Sequence, residues 1–208
     1  MREEHHAGQV GIHLIMKKIG IVIAIIVAVI LIWGVGTYNG FVKKQEAVTK
    51  AWGQVENVYQ RRADLVPNLV ALVKNYAEYE QGTLIAITEA RAQKAAATSV
   101  NMENYTESDL QNYQAAQDEL GESLNRLIVS VENYPDLKAS DNYLTLQAQL
   151  AGCENRILTE RERFNEAAKA YNQSVRKFPS SIIANMFSFE KRPYFEADAG
   201  AEKAPETF

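Results

Sequence analysis

The apolar pattern of this chain has two regimes. Positions 19–42 contain no charged residue, and positions 21–33 are almost wholly aliphatic. Crossing a hydrocarbon layer of about 30 Å takes roughly 20 such residues in a helix, so the run is long enough to span. Lys17 and Lys18 precede it and Lys43 and Lys44 follow it, placed to extend their charges to the two interfaces. Trp33 and Tyr38 fall toward its C-terminal end, where amphipathic rings are favoured. A cleaved signal peptide is the alternative, since Met16-Lys17-Lys18 resembles a charged leader start. Against it, the run exceeds the ~7–15 residues of a leader core, and neither a small-residue cleavage site nor a cysteine for lipidation follows.

Beyond the run the pattern becomes helical and stays so. Val48, Trp52, Val55 and Tyr59 are spaced 4-3-4. Leu110, Tyr113, Leu120, Leu124, Leu127 and Val131 hold one stripe, with Gln117 as its polar lapse. Leu146, Leu150, Cys153, Ile157, Phe164, Tyr171 and Phe178 hold another, with Glu160 and Ser174 as lapses. No stretch alternates as a strand would. Pro67 should break the first helix, because proline lacks an amide donor and disfavours the α region for the residue before it. Residues 98–108 are polar and aperiodic and predict a loop. Tyr134-Pro135 and Phe178-Pro179 end helices, and Ser140 or Asp141 can cap one.

The pattern predicts helices near 41–64, 66–96, 107–133 and 141–178. The fold class is therefore all-α: an N-terminal transmembrane helix followed by an antiparallel up-and-down bundle of four helices. Three long helices with a kink at Pro67 are the alternative. The apolar faces are wider than a coiled-coil seam, which favours a bundle core. The domains read as an extension at 1–15 without clear structure (translation could begin at Met1 or at Met16), an anchor at 16–42 and a bundle at 43–178. An apolar segment at 179–195 and a disordered acidic tail at 196–208 complete the chain.

Composition narrows the chemistry. The chain has 22 basic and 26 acidic residues; removing the three basic and two acidic residues before Lys43 leaves the remainder at −5. That part offers no basic field for nucleic acid. Its single cysteine, Cys153, rules out an intramolecular disulfide and a cysteine-cluster metal site. All three histidines, His5, His6 and His13, precede the apolar run, so the bundle has no imidazole for a zinc site or a Ser-His nucleophile. Glycines Gly53, Gly82, Gly121 and Gly152 are isolated, not a phosphate loop. No catalytic residue, metal site, cofactor or small-molecule substrate is expected. Positive charge is balanced across the anchor, so orientation is undetermined.

Two segments stand out as candidate interaction sites. Arg61 and Arg62, next to Asp64, could bind a carboxylate or phosphate, or could bridge to glutamates of neighbouring helices while Asp64 caps a helix beginning near Pro67. Glu160, at a stripe position, should meet an arginine. Ile182, Ile183, Met186, Phe187 and Phe189 form a short apolar stretch after the last helix. It could cap the bundle, dock a partner subunit or lie in a membrane interface.

At residues 38–92 the sequence is similar to a known family. Tyr38-Asn39, Ala51-Trp52, the segment RRADLVPNLV at 61–70, Tyr76, Glu80 and Arg91-Ala92 resemble the LemA family of bacterial membrane proteins. Tyr171-Asn172, FPSSIIANMF at 178–187 and Pro193-Tyr194-Phe195 extend the resemblance, which covers about residues 16–196. It implies one N-terminal transmembrane helix, a helical bundle and no established biochemical activity, in a protein of the bacterial cytoplasmic membrane. Two functions follow as expectations. The first is a non-enzymatic, single-pass scaffold or adaptor of the cell envelope that acts through protein contacts, as a homo-oligomer in the lipid bilayer. The alternative is an accessory or sensor subunit whose membrane protein partner is an enzyme such as a metalloprotease.

Overall fold

The computed structural model describes residues 2–75, 81–97 and 105–195, and every regular element among them is a helix. In chain order these are α1 (Arg2–Lys74), α2 (Gln81–Ala97), α3 (Glu107–Val131), α4 (Pro135–Lys138), α5 (Asp141–Arg176) and α6 (Ser180–Met186). The chain divides into two compact units. One holds Met1–Lys43 and Ser174–Glu190; the other holds Lys44–Gln173 and Lys191–Phe208. Residues Tyr76 and Glu80, most of the loop expected at 98–108 and the tail at 196–208 lie outside the described residues.

In the first unit, α1 carries the uncharged run with its side chains turned outward from Met16 to Val35. Such a helix is long and apolar enough to cross a membrane, and none of its most apolar stretch is buried within the protein. Residues 2–15 continue the same helix instead of forming an unstructured extension. Extending an existing helix costs far less than nucleating one.

The second unit is the bundle. Lys44 Nζ donates to the Ala170 carbonyl at 3.4 Å, and Arg62 meets Glu154, so α5 runs antiparallel to α1. Trp52 meets Tyr113 and Arg62 meets Gln117, so α3 runs parallel to α1. Two parallel helices joined through α2, which packs on α3, give the up-and-down order. The core is layered. At one end Val66, Leu69 and Val73 pack with Ile87 and Ala90 of α2, Leu124 and Leu127 of α3 and Leu150 of α5. At the other end are the rings of Trp52, Tyr59, Tyr113 and Phe164.

Helix starts follow their caps. Thr106 and Asp109 form a reciprocal capping box at α3. The Thr106 amide and hydroxyl donate to the Asp109 carboxylate and hold it below its usual range. Ser140 accepts the Tyr143 amide at 3.3 Å and starts α5.

Pro67 does not break the first helix. It lies inside α1, which ends only after Lys74. The proline sits on the exposed face, so its ring does not disturb the core, while Ala63, Val66, Leu69 and Val73 stay buried. Burial of that continuous face outweighs the local preference. Asp64 is accordingly no cap: it stands in mid-helix and accepts from Gln60 Nε2 at 2.7 Å.

Candidate functional site

Successive residues of a helix point about 100° apart, so adjacent arginines on α1 cannot share one environment. Arg61 is exposed, whereas Arg62 is 3% exposed and lies between the two core layers. Its Nη1 donates to Glu154 Oε1 of α5 at 2.9 Å. Its Nη2 donates to the Gln117 carbonyl at 2.6 Å and to Gln117 Oε1 at 3.1 Å on α3. The guanidinium also lies over the Tyr59 ring, 5.2 Å from its centroid. One side chain thus ties three helices. The Glu154 side chain is 51% exposed, so the pair joins a buried cation to a half-solvated anion.

Room for the guanidinium comes from Gly121. A Cβ at that position would stand 3.2 Å from Arg62 Nη1. Gln117 and Gly121, one turn apart on α3, therefore belong to this site. The sequence had shown them only as a polar lapse and an isolated glycine.

The surroundings suppress ionisation of the phenols. Burial pushes Tyr59 up to about 12, against the smaller opposing pull of Arg161 and Arg62. Burial likewise raises Tyr113 and, nearer the aromatic end, Tyr105. Among the described residues, four buried side-chain atoms, Trp52 Nε1, Arg62 Nε, Tyr113 Oη and Gln117 Nε2, have no hydrogen-bond partner. Gln117 lies beside the Tyr113 hydroxyl, but not in the geometry of a well-formed bond. Among the described residues no group of His, Cys, Asp or Glu is gathered to hold a metal ion. Glu160 pairs with Arg163 on its own helix at 2.6 Å, and Cys153 is a buried thiol raised by burial.

The apolar candidates lie in the other unit, where α6 packs on α1. Ile183 Cδ1 is 3.8 Å from where a Cβ of Gly34 would stand. Phe187 and Phe189 meet Tyr38 at ring-centroid distances of 5.0 and 5.4 Å, and Phe189 meets Phe41 at 5.1 Å. Ile182, Met186 and half of Phe187 remain exposed. Of the receiving residues, Tyr38 was marked in the sequence as an interfacial ring, whereas Gly34 and Phe41 lay in a run that reads as uniform and were not marked.

The LemA family model matches residues 51–207, three quarters of the chain, including the arginine layer and α6. The chain belongs to the LemA family. It is 29% identical over 175 residues to magnetosome protein MamQ 2 of Paramagnetospirillum magneticum, covering 76% of this chain and 64% of that protein. It is 28% identical over 180 residues to magnetosome protein MamQ of Magnetospirillum gryphiswaldense, covering 78% and 66%. It is 23% identical over 163 residues to protein LemA of Metamycoplasma hominis, covering 78% and 70%. The chain thus spans just under two thirds of the length of its magnetosome relatives.

In this LemA-family bundle, Tyr171-Asn172 and Pro193-Tyr194-Phe195, far apart in sequence, meet. Asn172 Nδ2 donates to the Arg192 carbonyl and its Oδ1 accepts the Arg192 amide, both at 2.8 Å. Seven residues earlier on α5, Asn165 makes the same pair with Phe195, at 3.1 and 2.9 Å. Two side-chain amides thus hold extended backbone as a neighbouring strand would. The Phe195 ring is buried, stacked on Trp52 at 5.8 Å and edge-on to Phe164 at 5.3 Å.

Proposed function

We propose that this LemA-family chain is a non-enzymatic, membrane-anchored scaffold or adaptor of the bacterial cell envelope that works through protein contacts, association with further copies of itself included. The observation that carries the reading is an open glycine pair on the apolar helix. Gly36 and Gly40 have the G-x-x-x-G spacing that lets helices in lipid approach closely. A Cβ at either would meet nothing within 4 Å. By helical angle they lie opposite Gly34, Tyr38 and Phe41, the face α6 covers, so the same helix keeps one side for its own chain and one for another. The bundle interior supports the non-enzymatic part. Arg62 is already engaged by Glu154 and Gln117, and burial holds the neighbouring phenols neutral, which suits a structural tie better than proton transfer.

The test is crosslinking in native membranes. Ile32, exposed and one turn before Gly36, is replaced by cysteine in a Cys153→Ala background. A self-adduct that disappears on adding Gly36→Ile supports the scaffold. A single adduct with a different protein instead supports the accessory-subunit reading, and no adduct at all removes self-association through this face.

A further inference from the structure

The segment after α5 has an exposed apolar surface that a purely aqueous setting does not explain. Phe178, just before α6, is 77% exposed, and Ile182 and Met186 on that seven-residue helix are 54% and 67% exposed. Ile182 and Met186, one turn apart, form one stripe of α6; Ile183, Ala184 and Phe187 face α1; Ser181 and Asn185 form a third, polar stripe.

Depth comes from the contacts. Gly34 lies nine residues before Lys43 and Phe41 two, which at about 1.5 Å per residue places them roughly 13 Å and 3 Å along the helix from that lysine. Both are inside the uncharged run. Ile183 packs at Gly34, Phe187 at Tyr38 and Phe189 at Phe41, so the segment lies beside the last turns of the run, from the level of Lys43 into the upper hydrocarbon.

The backbone is arranged for that environment. Where water is scarce, every amide and carbonyl needs an internal partner. At the start of α6 the Ser181 amide donates to the Lys177 carbonyl at 2.8 Å, and the Ser180 hydroxyl donates to the Ser174 and Lys177 carbonyls. At its end Ser188 is left-handed (φ 55°), its amide donates to the Asn185 carbonyl, and the Phe189 amide donates to the Ala184 carbonyl at 2.9 Å. This is the full Schellman closure, adopted by a serine where glycine is usual. Arg176 and Lys177 stand just before the segment, where they can reach the headgroups.

We infer that α6 is a second membrane element: an interfacial helix lying against the exit of the anchor, with Ile182, Met186 and Phe178 inserted among the upper acyl chains of the lipid. The occupant of the apolar stripe is lipid because the stripe continues the outward surface of the anchor and sits at the same depth. The inference rests on positions 19–42 spanning the bilayer, and the test separates the two.

The full chain with Cys153→Ala is reconstituted in phosphatidylcholine vesicles. Single cysteines at Met186, at Val27 in mid-anchor and at Glu162 on the bundle carry an environment-sensitive fluorophore. Vesicles contain nitroxide lipids labelled either near the headgroup or deep in the acyl chain. The expected result is quenching at 186 mainly by the shallow nitroxide, at 27 mainly by the deep one, and at 162 by neither. If position 27 is quenched deeply while 186 behaves like 162, α6 is in water and the inference falls while the anchor stands. A blue-shifted but unquenched fluorophore at 186 means protein covers the stripe, which also overturns it. Absence of quenching at 27 removes the anchor reading and the inference with it. An Ile182→Cys label should report the same depth as 186 if the 186 variant is poorly folded.

Discussion

Substituting Glu154 by glutamine tests whether the arginine layer stabilises the bundle, because it removes the counter-charge and keeps the shape and one oxygen acceptor. Two unit charges about 4 Å apart attract by about 1 kcal/mol in water and about 4 kcal/mol at the effective dielectric of a protein surface. The present pair lies between these limits: Arg62 is buried, but the Glu154 side chain is 51% exposed and partly screened. Arginine cannot shed its proton, so in Glu154→Gln a charged guanidinium stays buried among neutral acceptors, with no counter-charge paired to it. The expected cost is about 2 kcal/mol, or about 4–8 °C in melting temperature for a chain of this size. Thermal unfolding of the full chain in detergent, followed by circular dichroism, reads it. Adding Arg62→Met to Glu154→Gln should cost little more, because the uncompensated charge leaves with it. A Glu154→Gln melting temperature within a degree of the parent would refute the argument and reduce the pair to an ordinary surface contact.

Three further outcomes are expected. Gly121→Ala should bring no net gain despite about 1 kcal/mol of improved helix propensity, because its Cβ would crowd Arg62 Nη1 at 3.2 Å; in an Arg62→Met background the same change should stabilise, as read by the difference between the two melting temperatures. Pro67→Ala should raise stability by about 1–2 kcal/mol, the restored hydrogen bond outweighing the looser unfolded chain; a loss of helical signal would instead make the proline a working joint. For the tyrosines, a folded-state value raised above the unfolded ~10 leaves stability intact below pH 10 and erodes it as pH climbs toward Tyr59's value of about 12. The slope is about 1.4 kcal/mol per pH unit for each such phenol. Tyrosinate absorbance should therefore lag for Tyr59, Tyr105 and Tyr113 until the helical signal collapses, and smooth titration of all ten tyrosines near pH 10 with the fold intact would contradict their burial.

Much of the fold was legible because burial here follows helical periodicity. The stripe Leu110, Tyr113, Gln117, Leu120, Leu124, Leu127 and Val131 is buried throughout, lapse included. Pro67 misled because its effect depends on the direction it faces, and a local rule carries no information about which side of α1 is buried. The arginine layer was half legible. Arg62 was singled out, but Gln117, Gly121 and Glu154 join it only once the register of α1, α3 and α5 is known. The apolar stretch at 182–189 was visible as composition; its seat on Gly34, Tyr38 and Phe41 was not, since a side-chain-free position in an apolar run gives no sign of what lies against it.

The asparagine clamp imposes an order on biosynthesis. Trp52 is among the first bundle residues to leave the ribosome, and the ring that stacks on it, Phe195, is among the last. The helices can associate while translation continues, but the aromatic end stays open until residues 192–195 have emerged and been seized by Asn172 and Asn165. A chain stopped before Phe195 consequently keeps Tyr113 and Phe164 against the Trp52 indole but leaves the face that Phe195 stacks on uncovered.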